Sequence, residues 1–349
     1  MRATRLHGRR DVRLDEIPDP GEPGQFEVVA KPLWCGLCGS DLKGYLGNGI
    51  GEGGPLRVMG HEFSAVITAV GPGVRERRVG EHVCVMPLEH CGYCTDCLRG
   101  EFNLCINRSF LGLYGAGALG GGLADLVLLK DYQAIPLEEL SDEQGALVEP
   151  AAVAINAIIE AGVGPGHIVL VVGAGSIGSL VILAAQAAGA AVVLASEPNP
   201  GRADYARQFG AEVLDPGPIE DQVTQVRKLT GPRYPVDVAF DCAGRDGAME
   251  LCIGAIKPGG RICMVGGRRN GPPIDVAQLQ QLPTSIVGSL AYTRHAWDRT
   301  IALIRAGKYP VERAISSRIN REEIGTDGFG ALADPACREL KILVSVHAD

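Results

Sequence analysis

Four cysteines crowd one short stretch of the chain, in Cys91-Gly-Tyr-Cys94-Thr-Asp-Cys97 followed by Cys105. Separations of two, two and seven intervening residues let a single loop wrap four sulfurs tetrahedrally around one ion, for which Zn²⁺ is the expected occupant. An iron–sulfur cluster or four free thiols are the alternatives. With every position filled by protein, no place is left for a substrate, so this site serves folding rather than reaction. A second constellation is Gly173-Ala174-Gly175-Ser176-Ile177-Gly178, placed between the apolar run Ile168–Val172 and a small-residue helix expected over Ser176–Ala188. The first glycine permits a tight turn, the second lets the backbone approach a pyrophosphate, and the third brings helix and strand close. The helix start then offers free N–H groups to the phosphates. An acid, Glu197, ends the next expected strand at the distance where a carboxylate meets the adenosine ribose hydroxyls, favouring NAD over NADP. Arg202 is a candidate for the ribose or adenine or else a solvated helix residue, and Cys242 and Val265 at two later strand ends complete the candidate cofactor contacts. Scattered among these are Cys35-Gly-Leu-Cys38-Gly-Ser40-Asp41, Gly60-His61-Glu62 and Glu149-Pro150. Each is chemically capable, yet taken singly a histidine more often packs and a cysteine more often lies buried.

These residues need a scaffold, and the pattern around them supplies two. Residues up to about 150 alternate short β-branched runs (26–30, 64–70, 81–85) with Gly/Pro turns, the mark of mostly β structure with long loops. Beyond that point strands and helices alternate: strands at 168–172, 191–195, 213–214, 236–242, 261–265 and 285–289, and helices at 176–188, 202–209, 221–229 and 248–256. That order predicts an α/β fold with a doubly wound parallel sheet buried on both faces. A helix over 295–306 and a strand over 341–346 follow.

Composition narrows the partners. Among 349 residues, 41 acids against 33 bases give a net charge of -8 with no basic run, which argues against nucleic acid. Ile168–Ser196 has no charged residue, but its glycines and β-branched start fit a buried strand, turn and helix better than a membrane span. The opening residues contain no apolar run of secretory length, so a cytoplasmic protein is expected, and an odd count of 11 cysteines there argues against a disulfide framework. Small-molecule chemistry is what remains.

Taken together, the Cys38, His61 and Glu149 pieces, the four-cysteine lobe and the dinucleotide turn resemble the zinc-dependent medium-chain alcohol and polyol dehydrogenases over essentially the whole chain. The sorbitol, threonine and butanediol branch is the nearest in pattern, through Asn103-Leu-Cys105-Ile-Asn107, Phe110-Leu-Gly112 and Gly120–Gly122. The resemblance implies a GroES-like, mostly β catalytic domain (1–152), a Rossmann domain (153–290) and a C-terminal return to the catalytic domain (291–349). It implies two zinc ions per chain: the structural one above, and a catalytic one held by Cys38 and His61 with Glu62 and Glu149 as oxygen ligands exchanging with water or substrate. Cys35 is then a packed thiol. A substrate hydroxyl on this zinc would lose its proton near neutral pH and pass hydride to the nicotinamide. Ser40 would take the proton and hand it toward solvent through the nicotinamide ribose.

Two departures bear on this expectation. Lys43 occupies the position where many relatives carry a relay histidine, so the outer proton path is altered or runs through water. Ala291 precedes Tyr292 where sorbitol-type relatives carry arginine, pointing to a shorter or less hydroxylated substrate than a hexitol. Tyr45, Leu46, Phe110 and Tyr292 are candidates to shape the pocket or to pack. The expected reaction is oxidation of a secondary alcohol, vicinal diol or polyol to a ketone, by a homodimer or homotetramer. Alternatives are an amino-alcohol or aminocyclitol dehydrogenase and, from another class, a dinucleotide-binding regulator without turnover.

Overall fold

The computed structural model describes residues 1–47, 56–114, 120–231, 236–267, 274, 280 and 283–347. The chain divides into two units: Met1–Pro150 together with Val311–Asp349, and Ala151–Pro310.

The first unit opens with a hairpin, β1 (Arg2–Gly8) and β2 (Asp11–Glu16), then the long strand β3 (Glu27–Gly36) and the short helix α1 (Gly39–Tyr45). Next come β4 (Arg57–Val58), β5 (Glu62–Val70), β6 (His82–Val85), β7 (Leu88–Glu89), α2 (Thr95–Leu98), β8 (Ser109–Phe110), β9 (Val127–Lys130), β10 (Ala134–Pro136) and α3 (Asp142–Ala161). In the second unit the chain forms β11 (Ile168–Val172), α4 (Ser176–Ala187), β12 (Val192–Ser196), α5 (Pro200–Gln208), β13 (Glu212–Val213), α6 (Ile219–Thr230), β14 (Val236–Asp241), α7 (Ala248–Ala255), β15 (Ile256–Met264), β16 (Ser285–Gly288) and α8 (Arg294–Arg305). It then returns to the first unit as β17 (Ile315–Asn320) and β18 (Lys341–Ser345).

The main sheet of the first unit runs β10-β6-β5-β3-β18-β17, with β9 also on β3. Val28, Ala30, Phe63, Ala65, Ile67, Val83, Leu129 and Val344 fill its core, the alternate inward positions of strands that pair antiparallel. In the second unit six parallel strands lie in the order β13-β12-β11-β14-β15-β16, a doubly wound sheet with helical crossovers. The uncharged stretch 168–196 is β11, α4 and β12, and no helix among the described residues is long and apolar enough to cross a membrane.

Two features depart from expectation. The return to the first unit begins at Val311 rather than at residue 291, because 291–310 packs with the nucleotide-type unit. There the Thr293 N–H donates to Asn156, Trp297 and Tyr292 are fully buried ring to ring, and the Tyr309 hydroxyl donates to Leu180 O. The second is α3, an unanticipated 20-residue helix. Its start carries a reciprocal cap, Gln144 N–H to Ser141 Oγ and Ser141 N–H to Gln144 Oε1, a sequence signal ahead of an apolar run.

Candidate metal and dinucleotide sites

Three sequence-distant pieces converge at one end of the main sheet. Cys38 is the N-cap of α1, whose Asp41 returns a carboxylate oxygen to the Cys38 N–H at 3.3 Å. Gly60 adopts φ +95°, and a Cβ there would stand 2.7 Å from Cys35 Sγ, so glycine lets the chain turn tightly into β5 and set His61 and Glu62 at its start. Opposite Glu62 in the β3–β5 register is Gly36, where a Cβ would come within 2.3 Å of a Glu62 oxygen. One donor atom from each of Cys38, His61 and Glu62 lies within 4.8 Å of the other two. Thiolate, imidazole and carboxylate in that span fit a zinc ion with a position left open. His61 is buried, its Nδ1 turned to Asp41 at 3.6 Å and its Nε2 3.5 Å from Ser40 Oγ, with the Phe110 ring edge-on to it.

Charge at this centre is governed by burial. The Cys38 thiol is pushed up to about 12, first by burial and then by Glu62, with Lys341 opposing. A metal ion must therefore displace a firmly held proton to bind there. Asp41 is raised above the ordinary carboxylate range by burial, against the pull of His61 and Arg57. Glu149, 4% exposed on α3, is raised to about 8 by burial, against His61, with Glu62 and Cys38 adding to the rise. Glu149 is outside the three-residue cluster, although it shares its electrostatic field. Cys35 is fully buried and its pKa lies well above the ordinary thiol value because of that burial, with Asp41 and Glu62 adding to it, a packed thiol.

Sequence reasoning missed Lys341. Its ammonium is buried between both oxygens of Glu62 (2.9 and 2.6 Å) and Leu37 O (3.1 Å). Burial pulls its pKa down, but Glu62 and Cys38 pull harder and leave it above the ordinary lysine value. Among the other candidates, Lys43 is exposed on α1 one turn beyond Ser40, Tyr45 is buried against Phe329, and Tyr292 is buried within the second unit.

The four-cysteine lobe is closed by the β7–β8 pair, with Cys94 capping α2. Cys91 Sγ is 3.9 Å from Cys97 Sγ and 3.5 Å from Cys105 Sγ. Sulfurs ~2.3 Å from a tetrahedral zinc stand ~3.8 Å apart, so the thiols are spaced to hold it. Cys91 is lowered to about 6, chiefly by the Tyr93 N–H, and Cys94 is lowered by the Cys97 N–H, which favours the thiolate that a metal needs. The neighbouring His90 is half-buried between the rings of Phe102 and Tyr132.

In the second unit each glycine of the turn has its own constraint. Gly173 is at φ +92°, and a Cβ on Gly178 would lie 1.8 Å from Gly173 O. A Cβ on Gly175 would meet nothing within 4 Å, an open cradle at the start of α4. Beside it the Ser176 hydroxyl is buried without a partner, and Ile177 is half-buried. Those two features fit a phosphate-bearing ligand. Glu197 accepts the N–H of Ala174 and of Asn199, both at 2.9 Å. Arg202 donates its backbone N–H to the Asn199 cap and keeps a buried, unpartnered Nε. Cys242 packs beside Gly178, and the half-buried Val265 donates its N–H to Asp241 O at the end of β14.

Residues 24–139 match the model of the alcohol dehydrogenase GroES-like domain, and residues 176–306 match that of the zinc-binding dehydrogenases. The (R,R)-butanediol dehydrogenase of Bacillus subtilis strain 168 is 34% identical over 357 residues, covering 99% of each chain. The chain belongs to the zinc-dependent medium-chain alcohol and polyol dehydrogenases. The crystal structure of the Bacillus subtilis 2R,3R-butanediol dehydrogenase superposes on this dehydrogenase with a TM-score of 0.89 at 32% identity, covering 99% of both. A zinc-binding dehydrogenase from Sinorhizobium meliloti 1021, solved with NADP bound, gives 0.85 at 28% identity and covers 99% of this chain and 98% of its own. Zinc and a nicotinamide dinucleotide are thus the cofactors of this family member.

Proposed function

We propose that this dehydrogenase oxidises a secondary alcohol, vicinal diol or polyol to the ketone with NAD, using one catalytic and one structural zinc per chain. The observation that carries this reading is the meeting of Cys38, His61 and Glu62 donor atoms within 4.8 Å, with Ser40 beside them. Zinc bound there would act as a Lewis acid on a substrate hydroxyl, and the dinucleotide would accept hydride. The chain's own groups do the rest. The Asp41 carboxylate stands 3.6 Å from His61 Nδ1, near enough to act on the charge of the ring through space. Ser40 Oγ, 3.5 Å from His61 Nε2, is positioned to receive the hydroxyl proton. Lys341 balances the charge of Glu62, and Phe110 covers the imidazole from one side. Butanediol in the name of the 34% identical relative supports a diol or polyol substrate.

NAD rather than NADP is supported by the buried Glu197 carboxylate, which would repel a 2′-phosphate. The second zinc is supported by the sulfur spacing of the lobe. A homodimer or homotetramer is the assembly we expect, to be read from the native mass. Metal analysis should find two zinc ions per chain, and a panel of diols, polyols, amino-alcohols and simple alcohols should give NADH absorbance that a chelator abolishes. One zinc per chain with dinucleotide binding and no turnover across the panel would overturn the enzyme reading in favour of a regulator.

A further inference from the structure

Ala291 holds its backbone in the left-handed region, at φ +48°, although it is not a glycine. That conformation is unfavourable for any residue with a Cβ and persists only where the surroundings impose it. At Ala291 the surroundings include Asn156, which lies on α3 in the buried run 154–158 and is itself 1% exposed. The Asn156 amide nitrogen donates to Ser289 Oγ at 3.1 Å, and its oxygen accepts the Thr293 N–H at 3.2 Å. The clamp thus closes on either side of Ala291. Thr293 in turn caps α8 by accepting the Ala296 N–H. A buried amide is costly unless its two ends are bonded. Here both ends are bonded to one loop.

The parallel sheet sets where that loop lies. Just beyond the strand ends the ladder gains a last row of rungs: Gly173 N–H to Ser196 O, Cys242 N–H to Val172 O, Val265 N–H to Asp241 O and Ser289 N–H to Met264 O, at 2.8–3.0 Å. Ser289 therefore continues the row that holds the first glycine of the turn, ~14 Å along it at three strand spacings. The strand order reverses between β11 and β14, where a doubly wound sheet takes a dinucleotide with one mononucleotide on each half. Glu197, beyond β12, serves the adenosine half. The nicotinamide half then falls over β14, β15 and β16, toward loop 289–293, where Leu290 is 47% exposed.

We propose that Asn156 is a positioning residue for the nicotinamide half of the cofactor: its clamp on Ser289 and Thr293 keeps Ala291 left-handed and so fixes the course of the loop that faces that half. The proposal rests on the dinucleotide reading above and adds to it a residue that acts through the loop. Without the clamp Ala291 relaxes to an ordinary backbone region, and reordering the loop then opposes binding of the nicotinamide.

The test compares NADH with ADP-ribose, which lacks only the nicotinamide, by titration calorimetry on the zinc-loaded protein. Asn156→Leu keeps a similar side-chain volume and removes both bonds. It should raise the Kd of NADH about tenfold while the Kd of ADP-ribose changes by less than about twofold. Ala291→Gly added to that variant should restore most of the loss, because glycine adopts a positive φ without a clamp. Should Asn156→Leu fail to fold, Ser289→Ala removes one of the two bonds and should give the same selective loss at about threefold. Equal weakening of both ligands, an unchanged NADH affinity, or no recovery with Ala291→Gly overturns this proposal and leaves the dinucleotide reading standing. Unaltered protein that binds neither ligand overturns both.

Discussion

Glu62 and Glu149 are both buried carboxylates beside one cluster, but they meet that burial differently. Glu62 has the Lys341 ammonium against both its oxygens. Glu149 is raised to about 8 because burial outweighs the attraction of His61. In metal-free protein the unfolded chain ionises Glu149 near its ordinary value, while the folded chain keeps the proton until about pH 8. Folded protein thus binds the extra proton across that window, and stability must fall as pH rises from ~4.5 toward 8 and level off above it. Thermal melts of chelator-treated enzyme should show this decline, Glu149→Gln should flatten it, and bound zinc should reverse the charge balance that causes it. An apo protein equally stable at pH 5 and pH 8 would refute the assignment. For the other pair, Lys341→Met leaves a buried carboxylate uncompensated, which typically costs ~3–5 kcal/mol. Denaturant midpoints should register that loss in the apo form and a smaller one with zinc present, since the cation supplies the missing charge.

At the scale of elements, what was legible in the sequence was what lies close together along the chain. The four cysteines span 91–105 and the glycine turn spans six residues, so local spacing carries their geometry. The parallel sheet was legible because buried strands and helices alternate from Ile168 to Met264. Lys341 was invisible because its partner is 279 positions away and its own neighbours spell an ordinary strand. The hairpin β1–β2 was hidden by arginines that interrupt apolar alternation, and α3 by Pro150 inside it. The glycine turn permits a test that separates fold from binding. Gly175→Ala adds a methyl into open space at a backbone angle that alanine tolerates, so stability should change by only ~0.5 kcal/mol while dinucleotide affinity drops about tenfold or more. Gly178→Ala drives a methyl into Gly173 O and should lower both. Melting curves alongside dinucleotide titrations would show the split, and parallel losses in the two variants would count against Gly175 as a phosphate cradle.

The whole molecule is a contiguous unit interrupting a discontinuous one, and that arrangement dictates which parts can stand alone. Residues 151–310 contain all six strands of the parallel sheet, the glycine turn, Glu197 and the α8 segment, with the Tyr309 hydroxyl donating to Leu180 O. Beginning a fragment at Ser141 keeps α3 whole with its reciprocal cap. The first unit has no such independence, because its main sheet uses β18 between β3 and β17, strands separated by the entire intervening unit. Without Val311–Asp349, β3 loses its neighbour over Trp34–Gly36 and Glu62 loses Lys341, while Arg318, the bidentate partner of Glu143, and Arg321, which donates one hydrogen bond to Asp125, are gone as well. The β3 edge left open at Trp34–Gly36 invites pairing with other chains. The fragment 141–310 should therefore melt cooperatively and bind NAD, whereas 1–150 should aggregate or lack a cooperative transition even with zinc supplied. Circular dichroism melts and dinucleotide titration of the two fragments decide the matter, and a cooperatively folded 1–150 would mean that the return strands are dispensable to the metal-bearing sheet.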